Sequence, residues 1–361
     1  MHMKDEITSL LAEYISFKSI AGENESKKDC LRWVQKTFMS ETPYNVHTGD
    51  VDGAPYVFLE HPAPELIWFA HADVVPGSDE QFNLIVEGDK AIGRGAKDMK
   101  GATIPFLMAY RDALAAGVDP KISILITSDE EVSGHSIPNL IREGIVKGPV
   151  AFTPDTGSSP WIVTGHKALL WVDLVAKGKV CHSAMPWMGD NPITKLTKVV
   201  DELAVSFGPG TTDDWQITVT PTSFHSGTGT RNQLPPEAKC GLDIRYPIKE
   251  YANTEEVIAA LRKHIPSEIE IEIVMEAEGL DIDPDLPMVQ MIKGIAEDVL
   301  GKELPIGKEH GGTDARFFAS AGIPAFLYGP YGENLHGTDE WMSISSMEDH
   351  YEISKRLLER L

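Results

Sequence analysis

The chain of 361 residues is about twice as long as an ordinary domain, so two domains are expected. Apolar residues make up 42% of the sequence and charged residues 24%, which excludes a disordered chain and leaves enough side-chain volume for large cores. The 55 acidic residues outnumber the 32 basic ones, and the formal charge of −23 argues against nucleic acid or an anionic membrane as a partner.

The cysteines and the first residues of the chain indicate its compartment. Cys30, Cys181 and Cys240 are an odd number at long spacings, which fits neither a disulfide framework nor a cysteine metal site. The first residues lack the basic-then-apolar order of a signal peptide, and no apolar run approaches the roughly 18 residues that span a bilayer. We therefore expect a cytoplasmic protein.

Helices and strands alternate in the first part of the chain. Apolar residues recur at helical spacing over residues 7–15 and 31–38, which predicts two amphipathic helices. Short apolar runs predict buried strands, and an apolar helix lies among them. The strands are at 56–59, 66–70 and 122–127, and the helix is at 102–116. This alternation predicts an α/β sheet, whose functional sites lie beyond the carboxyl ends of the strands.

The order of elements changes at residue 165. The pattern that follows is strand, helix, strand, strand, helix and strand, at residues 169–175, 192–206, 216–221, 238–246, 255–264 and 269–275. This β-α-β-β-α-β order is typical of a ferredoxin-like domain. The first pattern then resumes, with helices at 288–300 and 314–321 and a strand at 324–329. We therefore expect residues 165–278 to be inserted into a domain that consists of residues 1–164 and 279–361.

Residues able to bind metal or transfer protons follow the predicted strands. They are His71 and Asp73, Asp98 in the glycine-dense loop 93–101, Glu130 and Glu131, and Asp155. A single acid at a strand end is more often a helix cap or a solvated turn residue. Several carboxylates at one edge of a sheet, however, would repel one another unless cations neutralised them. The set therefore predicts a metal site.

The residue types indicate which metal and how it is used. Histidine with carboxylates suits zinc or a similar divalent ion, and a bridging carboxylate would hold two ions about 3.5–4 Å apart. In the pair Glu130 and Glu131, one side chain can bind metal while the other acts as a base. A last ligand is expected from the C-terminal segment. His336 is a candidate and His310 a competitor, although either alone is more often a surface or capping residue.

Five motifs occur in order along the chain. They are His71-Ala-Asp-Val-Val-Pro76, Gly93-Arg-Gly-Ala-Lys-Asp-Met-Lys-Gly101, Thr127-Ser-Asp-Glu-Glu131, Gly178-Lys-Val-Cys-His-Ser183 and Gly311-Gly-Thr-Asp-Ala-Arg-Phe317. Through them nearly the whole chain resembles the di-zinc amidohydrolase family of succinyl-diaminopimelate desuccinylase, acetylornithine deacetylase, aminoacylase and related carboxypeptidases and dipeptidases. The resemblance implies an α/β, zinc-peptidase-like catalytic domain with a mixed sheet, and an inserted ferredoxin-like α+β domain for lid and dimerisation roles.

The resemblance also implies a ligand set and a base. One metal ion would be bound by His71 and Asp155 and the other by Glu131 and His336, with Asp98 bridging both. Zinc is expected, and cobalt or manganese accept similar ligands. Asp73 would hold the His71 ring in its ligating tautomer, unless it is only a turn acid. Glu130 would take a proton from the water between the ions and deliver it to the leaving amine.

Other residues would contact the substrate. His182 resembles a lid histidine that, in dimeric relatives, stabilises the oxyanion in the partner's active site; the alternative is a histidine with structural hydrogen bonds only. Asn232 and Arg245 resemble positions that bind the substrate carboxylate, a task that suits a guanidinium, although a surface ion pair of Arg245 is equally compatible with the sequence. Gly312 and Thr313, in the last motif, would also bind substrate.

Asp155 bears on the substrate class. Deacylases and carboxypeptidases of the family commonly have glutamate at this ligand position, whereas relatives that act as dipeptidases or aminopeptidases tend to have aspartate. We therefore expect hydrolysis of an amide or peptide bond in a small carboxylate-bearing substrate, a dipeptide or an N-acyl amino acid. An N-succinyl or N-acetyl amino-acid deacylase is the alternative, and a homodimer through the inserted domain is expected in either case.

Alternatives from other classes also fit the pattern. A non-catalytic binding or scaffold protein could keep the same fold, but it would be free to lose ligands, so the complete set favours an enzyme. A metal-free hydrolase could use Glu130 and Glu131 as an acid and base pair. Activity that survives chelation would identify that mechanism.

Overall fold

The computed structural model describes residues 2–132, 134–157 and 161–361 of the chain. The helices are α1 (Met3–Ser16), α2 (Asn24–Phe38), α3 (Lys100–Ala115), α4 (Ser136–Arg142), α5 (Pro192–Phe207), α6 (Thr254–Leu261), α7 (Pro287–Leu300), α8 (Ala315–Ser320) and α9 (Ile344–Leu358). None of the helices in these ranges has both the length and the apolar character that a membrane span requires.

The strands are short in the N- and C-terminal parts of the chain and longer in the middle. They are β1 (Asn45–Val51), β2 (Ala54–Glu60), β3 (Leu66–His71), β4 (Ile85–Glu87), β5 (Lys90–Ile92), β6 (Ile122–Thr127), β7 (Ala151–Thr153), β8 (Ile162–His166), β9 (Ala168–Lys177), β10 (Thr218–Ser226), β11 (Glu237–Tyr246), β12 (Ile269–Ala277), β13 (Leu280–Asp281), β14 (Ile306–Glu309), β15 (Ala325–Leu327), β16 (Gly332–Glu333) and β17 (Trp341–Ser343).

The chain forms two compact units. The first consists of Met1–Gly165 and Ile282–Leu361, and the second is the continuous segment His166–Asp281. Each unit has its own apolar core. In the first, the indole of Trp68 on β3 stacks on the ring of Phe106 on α3, with 4.1 Å between ring centroids. In the second, alternate residues of β9 and β11 pack beneath α5 and α6.

The main sheet of the first unit is mixed, as predicted. Its order from one edge is β1, β2, β6, β3, β7, β15 and β8. β3 lies parallel to β6 and β7, while β2 pairs antiparallel with β6. All residues of β3 and β6 are buried, because parallel strands in such folds are covered on both faces. The register aligns His71 with Thr127, so these strands end at the same edge.

A small second sheet in this unit brings the C-terminal segment back to the glycine-dense loop. Its order is β16, β17, β5 and β4. Trp341 on β17 pairs with Ile92 on β5, just before the loop that begins at Gly93. The turn that contains His336 is therefore held next to that loop. The sequence did not predict these short strands, since two or three residues carry no recognisable alternation.

The second unit has the predicted β-α-β-β-α-β order. Its sheet order is β10, β11, β9 and β12, and each of these pairs is antiparallel. One predicted boundary is wrong, because β10 continues to Ser226 instead of ending at Pro221. Proline lacks an N–H for pairing, but β10 is an edge strand, and a register shift between Pro221 and Ser223 allows pairing to resume.

Candidate metal centre

Two groups of histidine and carboxylate ligands lie at the carboxyl edge of the main sheet. In each group the ligand atoms lie within 4.8 Å of one another, and the groups are His71, Asp98 and Asp155, and Asp98, Glu131 and His336. Asp98 belongs to both. Among the described residues His310, the competing candidate, belongs to neither group.

The carboxylate of Asp98 lies between two imidazoles. His71 Nε2 is 3.1 Å from Asp98 Oδ1, and His336 Nε2 is 3.0 Å from Asp98 Oδ2. His336 Nε2 also lies 3.3 Å from a carboxylate oxygen of Glu131. His336 has a φ of 61°, in the left-handed region, and such backbone conformations are common at functional sites. One carboxylate therefore faces both ligand groups, as a bridging ligand must.

The loop that presents Asp98 is held by a buried glutamate. Glu340 is 1% exposed, and its Oε1 accepts hydrogen bonds from the backbone N–H groups of Lys97 at 2.8 Å and Asp98 at 3.0 Å. Its Oε2 accepts a bond from Arg94 Nη1 at 2.6 Å. Because Glu340 precedes β17, it links the loop to the segment that carries His336. This role could not be predicted from the local sequence, since Asp339-Glu340 is typical of a solvated turn.

Asp73 connects His71 to the two glutamates. Its carbonyl oxygen is 3.0 Å from His71 Nδ1 and can accept a hydrogen bond from Nδ1–H, which leaves Nε2 free to bind a metal. Its carboxylate lies 3.5 Å from the same nitrogen. The carboxylate also accepts the backbone N–H groups of Glu130, at 3.3 Å, and Glu131, at 3.0 Å. Asp73 thus orients an imidazole and the backbone of both glutamates.

Glu130 lies beside His71 and Asp155 of the first group and, among the described residues, belongs to neither group. A narrow space at the ends of β3, β6 and β7 is lined by His71, Glu130, Asp155 and Asp314, among others. Asp314 is 3% exposed, and neither of its carboxylate oxygens has a hydrogen-bond partner among the described residues. Asp314 lies in the last of the five motifs, but no role was predicted for it.

Several pKa shifts reflect the negative charge that is concentrated at the two ligand groups. Burial, and then the charge of Asp314, raises the pKa of Glu130 well above its usual range. Burial also raises the pKa of Asp155 to about 7, with a further contribution from Asp98. Hydrogen bonds to Asp98 and Glu131 raise the pKa of His336 to about 10. Burial opposes the charged form of His71, but Asp73 and Asp98 outweigh it and raise the pKa.

These features fit divalent metal ions. Oε1 of Glu131 is buried without a hydrogen-bond partner among the described residues, so it has a free lone pair to offer. Imidazole nitrogens and carboxylate oxygens are common ligands in catalytic zinc sites. Bound cations would also neutralise these acids and relieve the repulsion among them. The residues present therefore suit a pair of ions that share Asp98.

The other residues that are expected to contact the substrate differ in their burial. Thr313 is buried, and its hydroxyl accepts the backbone N–H of Ala315, while Gly312 is exposed. In the second unit His182 is exposed, and its Nδ1 accepts the N–H of Ala184 at 3.1 Å. Asn232 is exposed in the same unit, and its backbone carbonyl oxygen accepts a hydrogen bond from the N–H of Ser183.

Arg245 projects from the face of β11 opposite the core. Leu242 and Ile244 are buried, whereas Arg245 Nε donates to Asp243 Oδ1 at 2.8 Å and Nη2 to Oδ2 at 3.2 Å. The guanidinium thus forms the ion pair that the sequence allowed. Its remaining N–H groups could still bind a substrate carboxylate.

A mixed α/β sheet with two groups of potential metal ligands at its carboxyl edge is the arrangement expected of a metal-dependent hydrolase. The chain belongs to peptidase family M20/M25/M40, whose sequence model matches residues 67–360. It is therefore a metal-dependent enzyme that hydrolyses peptide or amide bonds in small substrates. This confirms the family and the enzyme class predicted from the five motifs.

Relatives and solved structures agree with this assignment. Succinyl-diaminopimelate desuccinylase of Variovorax paradoxus (strain S110) is 28% identical over 336 residues, which cover 83% of this chain and 82% of the relative. The desuccinylase of Xanthomonas campestris pv. campestris (strain 8004) is 29% identical over 333 residues, covering 83% and 84%.

Three solved structures share the fold. The aminopeptidase PepT of Bacillus cereus ATCC 10987 has a TM-score of 0.81 at 18% identity, covering 99% of this chain and 98% of that one. A tripeptidase of Staphylococcus aureus has a TM-score of 0.83 at 17% identity, with coverage of 99% and 98%. An M20 metallo-carboxypeptidase of Sulfolobus solfataricus has a TM-score of 0.76 at 20% identity, with coverage of 98% and 99%.

Proposed function

We propose that the enzyme holds two divalent metal ions, most simply zinc, and hydrolyses a dipeptide or an N-acyl amino acid. The ligands of one ion would be His71, Asp98 and Asp155, and those of the other Asp98, Glu131 and His336. The observation that carries the proposal is the position of Asp98, whose two oxygens each face a histidine. Cobalt or manganese would fit the same ligands.

In this mechanism Glu130 is the general base and acid. Divalent ions bound by these residues would supply Lewis acidity, polarising the scissile carbonyl and making a water molecule more acidic. Glu130 takes the proton from that water and later delivers it to the leaving amine. Asp73 holds the backbone at Glu130 and the ring of His71, so that base and ligand keep a fixed separation.

The substrate class is proposed from Asp155 and from the relatives. The shorter aspartate at this ligand position favours a peptidase acting on a dipeptide with a free amino group. The relatives named desuccinylases favour an N-succinyl amino acid, which is the second candidate. Both substrates carry a carboxylate, and we propose Asn232, Arg245, Gly312 and Thr313 as its binding residues, because guanidinium and amide groups donate to carboxylates.

Chelation followed by a substrate panel tests the proposal. Prolonged treatment with a strong chelator should remove about two ions per chain and reduce hydrolysis by more than about 100-fold, and added zinc should restore both. The treated and untreated enzymes are compared on dipeptides, N-acetyl amino acids and N-succinyl amino acids. Full activity after verified metal removal would contradict the metal mechanism, and a panel cleaved only at N-succinyl groups would replace the dipeptide with the second candidate.

We further propose a homodimer formed through the second unit, which would serve as lid and dimerisation domain for the catalytic first unit. The two edges of its sheet differ in charge. β10 contains no acidic or lysine or arginine residue and exposes Phe224, whereas β12 carries Glu270, Glu272 and Glu276. Two copies of β12 would repel each other, but two copies of β10 could pair.

His182 is proposed to stabilise the oxyanion in the partner subunit. The variant His182→Ala should therefore lose activity by about 100-fold or more while it keeps its metal, since loss of one oxyanion donor has that effect. Mixing it with a Glu130→Ala variant should restore part of the activity, because one site of the mixed dimer has both groups. Metal content and subunit exchange serve as controls. Mixed dimers that stay inactive after confirmed exchange would contradict a shared site.

We propose a cytoplasmic location. Cys30, Cys181 and Cys240 are all free thiols in the structure, and free thiols are typical of a reducing compartment.

A further inference from the structure

Lys97 is buried beside the metal centre and has no part in the proposed chemistry. Its side chain is among the largest that are completely buried, with 1% of the residue exposed. The fold leaves room for it, because a Cβ at Gly332 would lie 2.9 Å from Lys97 Cδ. A buried lysine is uncommon unless its charge has partners. The contacts of this side chain therefore call for a physical explanation.

Lys97 joins the two loops that carry Asp98 and Asp155. Its own backbone N–H is held by Glu340, as described above. Its Nζ donates to the carbonyl oxygen of Thr156 at 2.6 Å and lies 3.4 Å from the Thr156 hydroxyl. Asp98 directly follows Lys97, and Asp155 directly precedes Thr156. The Lys97 side chain therefore links the residue before one proposed metal ligand to the residue after another. The loop around Asp155 is thus fixed to the loop around Asp98.

Several nearby acids favour the charged form of this ammonium. Burial lowers the pKa of Lys97, and the charges of Asp155, Asp98, Glu309 and Glu340 oppose this effect. Glu309 also contacts the loop that carries Asp155, since its carboxylate accepts a hydrogen bond from the backbone N–H of Gly157 at 3.0 Å. Two of these acids, Asp98 and Asp155, share a ligand group. Lys97 therefore adds positive charge beside the two loops that carry these carboxylates.

We propose that Lys97 is an internal counter-cation that keeps Asp98 and Asp155 in their ligating positions before metal binds. The inference rests on the proposed metal positions. In the metal-free enzyme the ammonium offsets the repulsion between the two carboxylates and holds the Asp155 loop. In the loaded enzyme the bound ion does both, so Lys97 matters less. Lys97 is a positioning residue in this scheme and does not contact the substrate.

Thermal unfolding of the metal-free and metal-loaded enzyme tests the proposal. Lys97→Met keeps the volume but removes the charge and the hydrogen bond. We expect the Tm of the metal-free form to fall by about 5 °C or more, because partly compensated buried charges are destabilising, and that of the zinc-loaded form to fall by less than about 2 °C. Lys97→Gln, which keeps a neutral donor, should change both values in the same direction by smaller amounts.

Lys100→Met is the matched control. Lys100 is also buried, but its Nζ donates to the carbonyl oxygens of Tyr14 and Phe17, away from the ligands. Its loss should lower Tm equally with and without zinc. Equal losses for Lys97→Met, or no loss, would overturn the counter-cation role. A wild-type enzyme that binds no divalent ion would instead overturn the metal centre itself, so the two failures are distinguishable.

Discussion

Replacing Glu130 with alanine should lower kcat by about 1,000-fold or more while the enzyme keeps its metal. A positioned general acid and base contributes about 10² to 10⁴ to the rate, and here the same carboxyl group serves both proton transfers. Glu130 lies outside both ligand groups, so its removal leaves every proposed ligand in place. Steady-state kinetics on the best substrate of the panel and metal analysis of the same preparation check both halves of this expectation.

The neighbouring glutamate provides the comparison. Glu131→Gln removes a ligand from the second group, so it should lose one ion as well as activity. Glu130→Gln, which keeps the size of the side chain but cannot accept the proton, should resemble Glu130→Ala. If Glu130→Gln turned over at near the wild-type rate, Glu130 would not be the base. If Glu130→Ala lost its metal, its role would be that of a ligand.

Asp98→Ala should have the most severe effect on metal content, because this residue belongs to both ligand groups. Its carboxylate is nearly buried between two imidazoles, and its backbone N–H donates a hydrogen bond to Glu340. Without it the two positions lose their shared ligand, and both ions should be lost or bound at least about 100-fold more weakly. Hydrolysis should fall below detection. Metal analysis after dialysis and a chelator competition titration give the measurement.

Asp155→Ala is the matched control for this variant. Asp155 belongs to one group only, so the second ion should remain at close to its wild-type affinity. Circular dichroism and Tm of the loaded proteins distinguish metal loss from unfolding. Retention of both ions by Asp98→Ala would contradict the bridging position. Loss of both by Asp155→Ala would indicate that the ions bind only as a pair.

The part of the site that lies on parallel strands was predictable from sequence. β3, β6 and β7 are apolar runs, and parallel strands place their ends at one edge. The convergence of His71, Glu131 and Asp155 follows from this rule without knowledge of any relative. His336 could not be chosen over His310 on that basis. It depended on the resemblance and on the small sheet that folds the C-terminal segment back.

Contacts between distant segments could not be predicted. Glu340 binds the backbone of a loop more than 240 residues earlier, at Lys97 and Asp98, and nothing in the local sequence distinguishes it from a surface acid. Lys97 is a second example, because it is buried although sequence patterns would place a lysine in solvent. Such residues acquire a role only when tertiary packing excludes water around them.

The order of strands in the main sheet has a consequence for biosynthesis. β15 lies between β7 and β8, although the whole of the second unit is made between β8 and β15. During synthesis, β1 to β8 therefore leave the ribosome before β15 is available to pair between β7 and β8. The inserted unit is also complete before β15 is made. His336 emerges later still. A nascent chain thus lacks part of the proposed ligand set until synthesis passes that residue, so we expect no hydrolytic activity before the inserted unit and the segment beyond β15 have been made.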